Sequence, residues 1–370
     1  MKRMFLRQIA IVAILLLFWS CQIRGAQALP VPALSARCAV LMDGKSGRIL
    51  YEKNGDAPRP MASITKIMTA LVAIEHSENL QAEVEILPDY LQTEGSSIYL
   101  KVGERVKLET LLYGLMLESG NDAAVAIAGF CAGDIRTFVG WMNQRAEQMG
   151  LCHTKFQNPS GLSVDEHYAS AADMAKITRE AMKNETFAKI FGTREIVLEN
   201  RSFRNHNKLL WQYEGVIGGK TGFTKAAGRT LVTCAQRNGQ WIIAVTLDAP
   251  DDWNDHKNLF DYGFASFPSV LLWKKEEEVT ELAVQNGEQN TVSLFPKEDV
   301  WYPLQEGEQI EQRISLLPNC EQAPVTQGET AGILTYFLHG IPVGQVELIY
   351  GDSVPLQNKS VLERFLRLFK

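Results

Sequence analysis

Three short segments carry residue types that together could run acyl transfer: Ser63-Ile64-Thr65-Lys66, Ser119-Gly120-Asn121 and Lys220-Thr221-Gly222. A serine hydroxyl is a weak nucleophile unless a neighbour takes its proton. No His-Asp pair announces itself as that neighbour. Lys66 follows Ser63 by three residues, so on a helix the two side chains share one face. A lysine is a base only when neutral, and its ordinary pKa of about 10.4 keeps it charged at neutral pH. Burial and a second cation must therefore lower it. Lys220 is the candidate for that cation, and its charge, with the Thr221 hydroxyl, suits a terminal carboxylate on the substrate. Ser119 is then a relay that passes a proton between Lys66 and a leaving nitrogen, while the Asn121 amide orients the cleft or binds a substrate carbonyl. The backbone N–H groups of Ser63 and Phe223 are the expected oxyanion hole. This chemistry calls for no cofactor and no metal.

Each motif alone is weak, and each has a bland reading: a helix cap, a solvated lysine, a turn, a strand end. A chain of this length carries roughly one Ser-x-x-Lys and one Ser-x-Asn by chance, but only about 0.1 Lys-Thr-Gly. Ser-x-Asn recurs at Ser77-Glu78-Asn79, at the end of a predicted helix, and that copy reads as a decoy. What raises the odds is position: one motif at a helix start, one at a helix break, one on a strand.

Those elements follow from the apolar spacing. Cys38 to Met42 and Arg48 to Tyr51 read as a β-hairpin around Asp43-Gly44-Lys45-Ser46-Gly47. Ser63 to His76 has helical periodicity, which puts Ser63 at or near a helix N-terminus. Leu108 to Leu117 and Asn121 to Phe130 are two more helices, and Ser170-Ala171-Ala172-Asp173 is a capping-box-like start for another. Gly215 to Thr221, Arg229 to Arg237 and Trp241 to Leu247 read as strands, the last two joined by Asn238-Gly239, a strong hairpin signal. Strands at both ends with helices between them predict an α+β domain built on one antiparallel sheet. From about Leu271 the pattern changes to short β-type segments, a small all-β domain.

The chain has 370 residues, 46% hydrophobic and 22% charged, with no low-complexity tract. That is the profile of an ordered, multi-domain protein. Lys2, Arg3 and Arg7 precede the apolar run Ile9 to Trp19, and Ala26-Gln27-Ala28 offers a cleavage site, so residues 1–28 read as a secretory signal peptide. Without it the balance is 33 basic against 43 acidic residues, a net charge of −10, which argues against a nucleic-acid partner. Five cysteines remain, Cys38, Cys131, Cys152, Cys234 and Cys320, unpaired in spacing and expected to be buried small hydrophobes. Cys152-His153 has no His-Glu-x-x-His helix beside it, which disfavours a zinc peptidase. Gly218-Gly219-Lys220-Thr221 lacks the first glycine of a phosphate loop, since Glu214 stands there. Ser360 to Lys370 is amphipathic, with Val361, Leu362, Phe365, Leu366 and Phe369 on one side, and is expected to lie in a membrane interface.

With the three motifs in this order, the chain resembles the serine-type D-Ala-D-Ala carboxypeptidases, the low-molecular-mass penicillin-binding proteins. Met61-Ala62-Ser63 through Thr69-Ala70, Asn158-Pro159-Ser160-Gly161-Leu162, His167-Tyr168 and Ala227-Gly228-Arg229 are also similar to segments of that family. One departure is Ile64, where a small or hydroxylated residue is usual. The resemblance implies Ser63 as acyl-ester nucleophile, Lys66 as proton acceptor, Ser119 as third active-site residue and Lys220 as the substrate-binding lysine. It implies a β-lactamase/transpeptidase-like catalytic domain over residues 29–270 (an antiparallel sheet with a helical cluster), then a small β-sandwich-like domain over 271–352 and an anchoring segment over 353–370. The implied substrate is the peptidoglycan stem peptide ending in D-Ala-D-Ala, with β-lactams as covalent inhibitors. The implied place is the outer face of the cytoplasmic membrane. Two other readings are weighed. A class A β-lactamase needs a Glu-x-x-Leu-Asn segment, whereas Glu166 is followed by His167-Tyr168-Ala169-Ser170. A non-catalytic sensor would have no need of all four of Ser63, Lys66, Ser119 and Lys220.

Overall fold

The computed structural model describes residues 30–357. The expected signal peptide, 1–28, and residues 358–370 of the expected anchoring segment lie outside the described residues. The rest forms two compact units that part between Pro268 and Ser269.

In the first unit, strands β1 (Cys38–Asp43) and β2 (Ile49–Lys53) open the chain. Helices α1 (Lys66–Glu75), α2 (Leu108–Leu117), α3 (Asn121–Ala132), α4 (Ile135–Gln148) and α5 (Ala171–Ala181) follow. Strands β3 (Val216–Thr224), β4 (Gly228–Arg237) and β5 (Gln240–Leu247) return to the sheet, and helix α6 (Asp252–Ser266) closes the unit. The sheet is antiparallel throughout, in the order β2-β1-β5-β4-β3, so the first and last strands of this unit pair inside the sheet, with Cys38 opposite Leu247 and Val40 opposite Val245. Asn238 and Gly239 both take positive φ, 50° and 80°, as a tight two-residue hairpin of this twist requires.

Both faces of the sheet are covered, which is why β1 and β5 read as continuous apolar runs rather than as alternations. Val40, Met42, Val232, Cys234, Ile243 and Val245 pack into the core shared with α1 to α5. The alternate residues Leu41, Leu231, Ala235, Ile242 and Ala244 pack against Leu259 and Phe260 of α6. The start of α5 is capped as expected, Ser170 Oγ accepting from the Asp173 N–H at 3.1 Å. The box is not closed from the other side: the Asp173 carboxylate accepts instead from the His153 N–H and Thr154 Oγ1, both at 2.9 Å.

The second unit is all β. Strands β6 (Thr280–Ala283), β7 (Thr291–Pro296), β8 (Ile310–Leu316), β9 (Thr330–Leu338) and β10 (Ile341–Tyr350) form one sheet in the order β6-β7-β10-β9-β8. Ser269–Trp273 and Val300–Pro303 pair as a second, two-stranded sheet that the sequence pattern did not announce. Leu272 and Tyr302 from this pair join Leu294, Leu334, Tyr336 and Leu348 in one core.

Candidate active site

Ser63 stands in a short 3-10 turn, Ala62–Thr65, and the α-helix proper begins only at Lys66. The hydroxyl is not a helix cap, because neither this turn nor α1 has a side-chain cap bond. The turn is reached through Ala62, whose φ of 50° is left-handed and therefore costly for a residue with a Cβ. Gly161, φ 90°, lies against it: a Cβ at Gly161 would collide with the Ala62 carbonyl and stand 3.0 Å from the Ser63 nitrogen. On the other side β3 passes at Gly222, where a Cβ would stand 2.9 Å from that same nitrogen. Two glycines thus let two backbones close on Ser63.

Lys66 is wholly buried. Its Nζ lies 2.9 Å from Ser63 Oγ, 2.7 Å from Asn121 Oδ1 and 2.5 Å from the Ser160 carbonyl oxygen. Burial pushes its pKa well below the ordinary lysine value, the charge of Lys220 lowers it further, and Asp122 opposes them weakly. The Asn121 amide is fixed the right way round by its other end, since Nδ2 donates to the Glu94 carbonyl at 2.5 Å.

Ser119 lies in the α2–α3 break at φ 63° and is only 5% exposed. The break is pinned from two directions. Asn121 N–H donates to the Ser96 carbonyl at 2.7 Å, and Glu118 accepts from the Arg204 N–H at 2.6 Å while its other oxygen meets His206 Nε2 at 3.1 Å. Lys220, on β3, is as buried as Lys66; burial lowers its pKa to about 7, with Glu118 pulling the other way. Its Nζ donates to the Thr221 carbonyl at 2.8 Å.

Three comparisons bear on this constellation. A family model described as D-alanyl-D-alanine carboxypeptidase matches residues 25–251, and one described as the penicillin-binding protein 5 C-terminal domain matches residues 267–356. The chain belongs to the D-alanyl-D-alanine carboxypeptidase family. It is 33% identical over 317 residues to the D-alanyl-D-alanine carboxypeptidase DacF of Bacillus subtilis (strain 168), covering 82% of this chain and 81% of that protein. It is 31% identical over 363 residues to DacC of Escherichia coli (strain K12), covering 92% and 90%. Among solved structures, penicillin-binding protein 5 of Haemophilus influenzae superposes with a TM-score of 0.74 at 31% identity, over 88% of this chain and 99% of that one. The α+β unit followed by an all-β unit is the architecture of that protein, and the chain is an enzyme of the serine-type D-alanyl-D-alanine carboxypeptidase kind.

On this family fold, the residues expected to meet fall into three groups. Ser63, Lys66 and Asn121 share one hydrogen-bonded network, and Lys220 lies close enough for its charge to act on Lys66. Ser119 sits on the turn two residues before Asn121. Thr221 and Phe223 follow Lys220 on β3, with Phe223 67% exposed. Ser77, the decoy, bonds weakly to Cys131 Sγ at 3.6 Å instead. The cysteine expectation needs correction: Cys38, Cys234 and Cys320 are buried, but Cys131 is half-buried, in the last turn where the otherwise buried α3 reaches the surface, and Cys152 is exposed in the loop after α4.

Residues with no role assigned from sequence also share the site: Ser160 and His167 lie in segments noted only as similar to the family, and Asp122 was not singled out. The Ser160 carbonyl is a backbone acceptor and so leaves no mark in residue type. His167 lies beneath Ser63: its Nδ1 accepts from the Gln157 N–H at 3.0 Å, so Nε2 carries the proton and donates to Thr65 Oγ1 at 2.9 Å, and Thr65 in turn donates to the Ala62 carbonyl at 2.8 Å. Burial, and secondarily Lys66, depresses its pKa to about 4, so the ring is neutral. Asp122 accepts the N–H groups of Ile98 and Leu100 and closes the wall beside Asn121.

Proposed function

We propose that this carboxypeptidase removes the C-terminal D-alanine of peptidoglycan stem peptides through an acyl-enzyme on Ser63, and that β-lactams inhibit it by acylating the same oxygen. The observation that carries this reading is the set of partners around Lys66 Nζ. A neutral amine has two hydrogens and one lone pair. The Asn121 and Ser160 oxygens can only accept, so they take both hydrogens. The lone pair is left for the third partner, Ser63 Oγ at 2.9 Å, which must then donate. Burial without a bonded carboxylate favours that neutral state. The arrangement supports Lys66 as the base that accepts the hydroxyl proton during attack.

The remaining roles follow from placement. Lys220 with Thr221 receives the substrate's terminal carboxylate, which restores the charge that burial makes costly. Ser119 relays the proton from Lys66 to the departing D-alanine nitrogen. The N–H groups of Ser63 and Phe223 hold the carbonyl oxygen as it becomes an oxyanion. Water then hydrolyses the ester. We assign the unit that ends at Pro268 to this catalysis and the unit from Ser269 to a β domain, two residues earlier than the expected start at 271 and reaching past 352 because Val354 packs in its core. Residues 1–28 would serve export and the segment after 357 contact with the outer face of the cytoplasmic membrane, where the enzyme would trim stem peptides during wall maturation.

The test is intact-mass analysis of the purified protein after benzylpenicillin, with peptide mapping, alongside D-alanine release from diacetyl-Lys-D-Ala-D-Ala. An adduct on Ser63 together with release is the expected result. An adduct without release would leave a sensor, and no adduct would sink the acyl-enzyme.

A further inference from the structure

Tyr99 is locked in a left-handed backbone conformation, its N–H donating to Ser97 Oγ at 2.8 Å, while its side chain is left to solvent. Its neighbours on both sides are fixed. Asp122, buried, accepts from the Ile98 N–H at 3.0 Å, the Leu100 N–H at 3.2 Å and Ser97 Oγ at 2.6 Å. The Ile98 carbonyl accepts from Arg201 Nη1 at 2.8 Å, and Arg201 is itself paired with Glu104 at 2.7 Å. The Ile98 and Leu100 side chains are buried in the core, whereas Tyr99 between them is 82% exposed. Its backbone is left-handed, φ 60°, which glycine takes freely and a tyrosine takes only at a cost. Strain of this kind persists where the surroundings over-determine it, and it clusters at functional sites.

The same loop is a wall of the active site. The Glu94 and Ser96 carbonyls hold the side chain and N–H of Asn121, whose Oδ1 holds Lys66. The ring therefore stands on backbone that is rigidly continuous with the catalytic network. With the D-alanine pair between Ser63 and Lys220, the rest of the stem must leave across the rim of the cleft. A tyrosine on a fixed backbone, with only two side-chain torsions to settle, offers that peptide an apolar face and a hydroxyl at modest entropic cost.

We propose that Tyr99 is a specificity-determining residue whose ring packs on the stem peptide N-terminal to the D-alanine pair. This rests on the function proposed above. The full-length protein and its Tyr99→Ala, Tyr99→Gly and Tyr99→Phe variants are assayed for D-alanine release from free stem pentapeptide and from N-acetyl-D-Ala-D-Ala, and for acylation by benzylpenicillin. The ratio of kcat/KM for pentapeptide over the short substrate is expected to fall about five- to tenfold in the Ala and Gly variants, the size of one aromatic contact, and to be kept by Phe. Tyr99→Gly is also expected to unfold at no lower temperature than the parent, since its backbone is relieved. A ratio that does not move, or a Gly variant that loses both stability and the ratio, overturns the assignment. With disaccharide-pentapeptide assayed as a third substrate, a loss seen only there gives the ring to the glycan and overturns it equally. If the parent itself forms no benzylpenicillin adduct on Ser63, the catalytic reading fails with it, an outcome distinct from adduct formation with an unmoved ratio.

Discussion

Lys66 and Lys220 are buried near one another, and among the described residues neither forms an ion pair. Each is held below its ordinary pKa first by burial, and Lys66 additionally by the charge of Lys220. Near neutral pH the two therefore differ: Lys66 is pushed well towards its neutral form, whereas Lys220 stands at its turning point near 7.

Replacing Lys220 by Met should act on both. The acid limb of the benzylpenicillin acylation profile should move to higher pH, because Lys66 regains its proton more readily. The fall of kcat/KM for free-carboxylate substrates above about pH 7, expected as Lys220 loses its charge, should disappear. Substrates amidated at the terminus should be affected less. Equal losses on both substrate types would remove the carboxylate role.

Lys66→Ala should slow acylation of Ser63 by about 10²- to 10⁴-fold, the usual worth of a positioned general base. Lys66→Arg should not rescue it, since a guanidinium does not give up its proton in a protein. Stopped-flow acylation at several pH values reads both, with circular dichroism to confirm that each variant is folded.

Gly161→Ala tests the close approach beneath the nucleophile. The added Cβ meets the Ala62 carbonyl at a residue of φ 90°, so either backbone must shift. We expect a stability loss of about 1–3 kcal/mol and slower acylation even at permissive temperature. Urea unfolding and adduct formation measure the two separately. Full acylation in a destabilised protein would show that Gly161 supports the fold and not the position of Ser63.

His167 sets a pH term. Its folded pKa of about 4 lies below the ordinary 6.5, so between those values the unfolded chain binds the extra proton. Stability from this group is whole above pH 6.5 and is lost as pH falls towards 4. His256, buried and lowered to about 3, adds to the same slope. His167→Asn, which keeps an acceptor for the Gln157 N–H, should remove on the order of 2 kcal/mol of that loss and leave the part due to His256. Urea midpoints at pH 7 and pH 4.5 give the comparison.

The hairpin strands and the helix-to-turn-to-helix break were readable because each has its own period or turn chemistry. Helix α6 was not. Asp252, Asp255 and His256 are buried on its packed side, where Asp252 pairs with Arg229 at 2.8 Å and Asp255 accepts the Ala36 N–H, so polar letters occupy the apolar stripe. Within the site, Ser63, Lys66, Ser119 and Lys220 were visible because chemistry restricts their types. Ser160 and Gly222 stood in segments recognisable from sequence, but what they do, a carbonyl on Lys66 and a close pass of β3, was hidden because both act through backbone. Tyr99 was hidden for another reason: its distinction is a dihedral angle, and no periodicity encodes one.

The central pairing of β1 with β5 joins the first strand of the catalytic unit to the last. A chain that emerges from one end therefore cannot complete the sheet until Leu247 is out. Since β3 flanks Ser63 and carries Lys220, the two residues are brought together only once that sheet is complete. Contacts so distant in sequence close slowly. Strand order thus ties the meeting of Ser63 and Lys220 to the last strand of the unit.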